Sequence, residues 1–146
     1  MGRFRRARGV AMDWARDGAT WPHKAASRFL ACRPHRWHVQ DMGAGPVLLL
    51  IHGSGGTTHG WRDLMAPLAQ HYRVIAPDLP GHGFTRMGTR ARSGLAPMAA
   101  DLARLMAALN APPAAIIGHS AGAALALRMV RFLPAPPRAI IGINAA

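Results

Sequence analysis

The stretch AAIIGHSAGAALALRM, residues 114–129, places one serine between two glycines, after an apolar run and before an alanine-rich run. The apolar run reads as a strand and the alanine-rich run as a helix, so Gly118-His119-Ser120-Ala121-Gly122 must turn from one to the other within a few residues. So sharp a turn holds Ser120 in strained backbone geometry, and bulky residues at 118 or 122 would collide with the adjoining strand and helix. The strain sets the hydroxyl at the head of a helix, where the dipole favours developing negative charge. There the Ala121 N–H can face the oxyanion of a tetrahedral intermediate. Ser120 is the candidate nucleophile.

The rest of the chain supports a fold able to hold such a turn. "PVLLLI", at residues 46–51, is apolar on both faces, as a strand covered by helices on each side must be. "RWHVQ" alternates like a short strand, and "RVIAPD", "AAIIG" and "RAIIGI" read as further strands. "WRDLMAPLAQHY" has helical spacing, with Pro67 near its end or bending it. In "APMAADLARLMAALN", Pro97 suits the first turn, Met98, Leu102, Leu105, Met106 and Leu109 line one face, and Pro112-Pro113 stop the helix. Strands alternating with such helices predict an α/β protein with a mostly parallel sheet flanked by helices. At 146 residues the chain can form one domain, burying about 70% of its unfolded surface. Residues 1–34 read as a basic, loosely structured arm, and residues 35–146 as the α/β domain. "AIIGI" is apolar enough for an interior strand, yet the chain ends three residues later, so the sheet reads as cut off after about its sixth strand. Left at an edge, that strand is expected to drive association.

Charge and cysteine usage narrow the function. Seventeen arginines and one lysine face six aspartates and no glutamate, a net charge of +12. Outside Arg3, Arg5, Arg6 and Arg8 the cations are scattered without interleaved aromatics, which argues against nucleic acid and allows at most peripheral membrane contact. The basic N-terminus is followed by no apolar signal segment, and no run approaches the ~20 residues of a spanning helix, so a cytoplasmic location is expected. Cys32 stands alone, excluding a disulfide framework and a thiolate metal site.

A second glycine-rich loop, "HGSGG" at residues 52–56, follows the first apolar strand, at the edge where open α/β sheets bind ligands. Thr58 stands where a dinucleotide fingerprint needs its last glycine, and Trp61 where a P-loop needs lysine, so no cofactor is expected. The Ser54 N–H is the candidate second oxyanion donor. His52 and His119 read as structural, their ring nitrogens bonded to backbone, and His82 sits in a "PGHG" turn. His35 and His38 lie on a strand and share no helical face, so metal binding there is not expected.

"HGSGG", "APDLPGHG" and "GHSAG" at these spacings resemble the N-terminal half of an α/β-hydrolase fold protein. With "RWHVQDMGAGPVLLLIHGSGGTTHGWRDLMAPLA", "PDLPGHGFT", "GHSAGAA" and the closing "GINAA", the resemblance narrows to the magnesium-chelatase accessory proteins of bacteriochlorophyll synthesis, the BchO family, from about Trp21 onward. It implies a protein roughly twice this long, with a cap after the sixth strand and the acid and histidine of a triad beyond it. After Ser120 this chain contains no histidine, aspartate or glutamate, and Asn144 lies near a place where some members carry the acid. The resemblance implies either an esterase-like serine hydrolase or a non-catalytic porphyrin-binding accessory protein. Its partners would be a small-molecule ester or tetrapyrrole-like substrate and the magnesium chelatase itself. A carboxylesterase of another pathway and a truncated, inactive product are the remaining readings.

Overall fold

A five-residue apolar run with no polar face needs cover on both sides, and β3 (Val47–Ile51), buried at every position, has it. In the computed structural model, which describes residues 11–145, Leu48 and Leu50 face Trp61 and Met65. Leu49 and Ile51 face the opposite way, into a larger cluster with Leu102, Met106, Leu125 and Met129. The smaller cluster lies beneath α2 (Arg62–Leu68), and the larger lies beneath α3 (Leu95–Ala108) and α4 (Ala121–Met129). Period-two alternation along one strand thus feeds two cores.

Beside β3 run β4 (Arg73–Pro77) and β5 (Ala115–His119), both parallel to it, and β6 (Ala139–Ile143) extends the sheet parallel to β5. A hairpin of β1 (Ser27–Cys32) and β2 (His35–Met42) adds the antiparallel side, giving the order β1-β2-β4-β3-β5-β6. The mostly parallel, helix-flanked sheet is the architecture the strand pattern predicts.

Helix limits follow local chemistry. Pro67 lies inside α2, one residue before its end, and supplies no N–H for the carbonyl four residues back, which keeps this helix short. The end of α3 is set earlier than Pro112: Asn110 adopts left-handed φ of 50°, and the Ala111 N–H bonds back to Met106 O at 2.9 Å. Leu102, Leu105, Met106 and Leu109 are buried on α3 as their spacing predicts, with Met98 half-buried.

Residues 11–34 differ from the expected loose arm. They form the short helix α1 (Trp14–Asp17), two single 3₁₀ turns and β1, and the expected boundary at residue 35 cuts the hairpin at its turn, where Cys32 pairs with His35. The aromatic side chains supply the physical reason. Trp14 packs edge-on to Phe29 and Phe84 with centroids at 5.2 and 4.9 Å, and Trp21 meets Phe84 at 4.8 Å. They cover the second face of β2, where Gln40 donates to Pro22 O at 2.6 Å. Isolated aromatics on short turns carry no periodicity, so the sequence pattern does not show them. The basic tip at Arg3, Arg5, Arg6 and Arg8 lies outside the described residues. Among the described residues no helix is long and apolar enough to cross a membrane.

Candidate functional site

The chain passes from β3 to β4 on one side, then crosses back to β5 on the other, so the loops leaving β3 and β5 diverge from adjacent strands. That reversal opens a crevice at the C-terminal edge of the sheet, where ligands of open α/β sheets bind. The loop after β3 is HGSGG, and the residue after β5 is Ser120.

Ser120 has φ 52° and ψ −120°, a conformation costly for any residue but glycine. It lies directly before Ala121, the first residue of α4. Two backbone bonds hold the turn: Ser120 N–H donates to Ile143 O of β6 at 2.9 Å, and Ala123 N–H donates to Ser120 O at 2.9 Å. The flanking glycines are needed for space. A Cβ on Gly118 would stand 2.5 Å from Ala123 N, and one on Gly122 would overlap the Ile51 carbonyl oxygen at the end of β3. A Cβ on Gly53 would come within 3.0 Å of Ser120 Cβ, so the β3 loop and the serine turn are in direct contact.

The β3 loop is shaped by its own bonds. Gly56 N–H returns to Gly53 O at 3.0 Å, with Gly55 at φ 75° in the turn between them. Gly55 N–H donates to His82 Nε2 at 3.1 Å, and Ser54, at the head of the turn, is exposed. Ser54 separates two clefts. One, of about 480 Å³, is walled by His52, Trp61, Leu64, His119 and Ile143, and the other, of about 290 Å³, by Leu79, His82, Leu95, Met98 and Ala121. Both are largely apolar, and among the described residues no arginine, lysine or aspartate lines either.

Each nearby histidine has a distinct place. His52 is buried, with Nδ1–H donating to Gly53 O at 2.7 Å and Nε2 accepting from Leu79 N–H at 2.9 Å, which fixes one neutral tautomer. Burial pushes its pKa below the ordinary value, against the opposing pull of the Gly53 bond and the Asp78 charge. His82 is held by Gly55 N–H and, at 3.3 Å, by Pro80 O. His52 therefore plays the expected structural part. His119 differs: it is exposed, lines the larger cleft, and its ring has no hydrogen-bond partner among the described residues.

Asp78 is not among the expected site residues. Fully buried at the end of β4, it accepts from Thr58 N–H at 2.7 Å, from Phe84 N–H at 2.9 Å and from His38 Nδ1 at 2.7 Å. One carboxylate thus anchors the loops after β3 and β4 to β2. The signal was an aspartate closing an otherwise apolar strand, since an acid buried there needs several donors. His35 and His38 are both buried, and they take different carboxylates: His35 Nε2 meets Asp101 at 2.9 Å. Among the described residues no cluster of three or more His, Cys, Asp or Glu side chains could hold a metal ion. Asn144, at φ 47°, is exposed one residue beyond the Ile143 carbonyl that holds Ser120.

A strained serine between two glycines, at the switch crevice of a mostly parallel helix-flanked sheet, defines the class as an α/β-hydrolase type of protein. Residues 46–145 match the family described as alpha/beta hydrolase fold, and the chain belongs to that family. It is 51% identical over 112 residues to the magnesium-chelatase 30 kDa subunit of Rhodobacter capsulatus, covering 75% of this chain and 39% of that protein. It is 41% identical over 93 residues to a 2-hydroxy-6-oxo-2,4-heptadienoate hydrolase of Pseudomonas putida, covering 62% of this chain and 34% of the relative. Among solved structures, a candidate lipase of Acinetobacter baumannii superposes with a TM-score of 0.79 at 27% identity, over 96% of this chain and 48% of that one. The chain spans less than half the length of these relatives.

Proposed function

We propose that the chain carries the nucleophile half of an esterase-like serine hydrolase site, in a protein linked to magnesium chelation in bacteriochlorophyll synthesis. Ser120 is the nucleophile, and the Ser54 and Ala121 N–H groups form the oxyanion hole. The observation that carries this reading is the backbone of Ser120, at φ 52° against the Gly53 loop. In the proposed step Ser120 Oγ attacks a carbonyl carbon, its proton passes to a histidine, and the two N–H groups receive the oxygen that becomes negative. His52 and His82 already have both ring nitrogens engaged. His119 adjoins Ser120 in sequence, so its ring reaches Ser120 Oγ poorly. The α/β-hydrolase resemblance implies a base and an acid from sequence this chain does not contain, and the chain alone is expected to be inactive. The link to chelation rests on the 51% identity to the chelatase subunit, and a cytoplasmic site of action is part of the same proposal.

Fluorophosphonate labelling tests the nucleophile in the longest reading frame that contains this segment. Strong labelling is expected with Ser120 and none with Ser120→Ala; equal labelling of both defeats the assignment. A second reading, a porphyrin-binding accessory protein without turnover, is supported by the identity to a magnesium-chelatase subunit. Protoporphyrin titration of the same protein separates the two. A saturable spectral change with no fluorophosphonate labelling selects the accessory role.

A further inference from the structure

All six aspartates of the chain are engaged: Asp13 caps α1, Asp78 holds His38, and Asp17, Asp41, Asp63 and Asp101 pair with arginines. The cations left over are therefore informative. Lys24, Arg33, Arg36, Arg86, Arg90, Arg128, Arg131 and Arg138 have no acidic partner among the described residues, and residues 1–10 contain no acidic side chain. Of these cations Arg33, Arg36, Arg86 and Arg90 are exposed and lie on two segments in contact.

Arg33 and Arg36 lie at the turn of the β1–β2 hairpin, and the segment 86–90 lies directly on that turn, where a Cβ on Gly88 would overlap Pro34 O. Arg36 and Arg86 exchange both backbone bonds, at 3.1 and 2.8 Å. Residues paired in this way sit about 5.5 Å apart at Cα, with both side chains on one face. Like charges directly opposite each other destabilise a strand pair. Here no carboxylate relieves them, while Arg36 is held over the Phe29 ring at 5.0 Å with its polar edge free. A bound anionic surface would remove that repulsion.

We propose that Arg33, Arg36, Arg86 and Arg90 form a docking surface for a carboxylate-rich protein. Guanidinium forks on paired backbone are preorganised for bidentate carboxylates. The exposed large hydrophobic residues, Leu64, Tyr72, Leu95, Leu127, Phe132, Ile141 and Ile143, all lie elsewhere, so the patch lacks the apolar wedge of a membrane-surface binder. Phe29 lies beneath Arg36, which leaves no aromatic platform for single-stranded nucleic acid. Position adds a functional consequence. β2 runs antiparallel to β4 with Val39 opposite Pro77, so its start at His35 lies on the same sheet edge as the C-terminal ends of β3 and β5. The docked protein would stand about 15 Å from the serine turn, three strand spacings away.

Poly-L-glutamate is the probe, titrated at low salt against the full 146-residue chain, with phosphatidylglycerol vesicles and duplex DNA as parallel arms. Arg36→Gln/Arg86→Gln is compared with Arg128→Gln/Arg131→Gln, which removes equal charge from the α4 side of the fold. The hairpin variant is expected to lose about tenfold in polyglutamate affinity and the control less than about twofold. The hairpin variant is also expected to unfold at an equal or higher temperature, because the like-charge contact is gone, and this shows that it folds. Equal losses in the two variants would overturn the proposal by reducing it to net charge. Hairpin-dependent binding that is tighter to vesicles or to DNA would overturn it in favour of those partners.

Discussion

Ser120 spends folding stability to hold its hydroxyl in place. Relief of its φ of 52° by Ser120→Gly is expected to stabilise the chain by about 1 kcal/mol in urea unfolding, and to abolish fluorophosphonate labelling of the longest reading frame that contains it. Ser120→Ala, which keeps the Cβ, should bring no such gain. The neighbouring glycine works in the opposite sense. A methyl group on Gly122 collides with backbone at the end of β3, whereas one on Gly60 meets nothing within 4 Å. Gly122→Ala should therefore cost about 3 kcal/mol or more, and Gly60→Ala should be neutral or slightly stabilising. His52 supplies a pH dependence. Its folded-state pKa lies below the ordinary value, so the unfolded chain binds the proton more readily. The associated stability is fully present above about pH 6.5 and declines as pH falls below it. Thermal midpoints measured from pH 7.5 downward should begin to drop in that window; a flat profile down to the carboxylate range would contradict the neutral tautomer.

Between elements, single carboxylates act as fasteners. Asp101 of α3 is buried and receives Arg92 at 2.8 Å, His35 of β2 at 2.9 Å, and Arg104. His35 in turn accepts from Gly88 N–H at 3.1 Å, so α3, β2 and the segment around Gly88 are one unit. Burial raises the Asp101 pKa, but the bonds from Arg92 and His35 and the nearby arginine charges outweigh it and hold the carboxyl below its ordinary range. Its contribution is present above about pH 4 and is lost as pH falls through the carboxylate range. Arg92 and Arg104 keep partial solvent contact, so Asp101→Asn is expected to cost about 2–3 kcal/mol rather than the full cost of breaking a fully buried pair. Hydrogen exchange should localise the loosening to residues 86–94.

At the scale of the whole chain, the sheet of the described residues has two unlike edges. β1 is backed by α3, whereas β6 exposes Ile141 by 49% and Ile143 by 37%. An open parallel edge with apolar side chains recruits another strand. Sedimentation of this chain should show self-association, and Ile141→Lys should shift it toward monomer; an unchanged distribution would place the contact elsewhere.

Much of this protein is written locally. Alternation along residues 47–51, the helical stripe at 102, 105, 106 and 109, and glycines on both sides of Ser120 are short-range patterns. Period and steric demand act within a few residues, so a strand, a helix and a sharp serine turn can be read without knowing what lies opposite. What lies opposite is what only the tertiary structure decided. Nothing near Asp78 in sequence names Thr58 and His38 as its donors, and nothing near Trp14 names Phe29 and Phe84 as its neighbours. The same holds for Arg36 beside Arg86, fifty residues apart along the chain. Such contacts between distant residues are set by how the strands are ordered across the sheet, and that ordering leaves no periodicity in the chain.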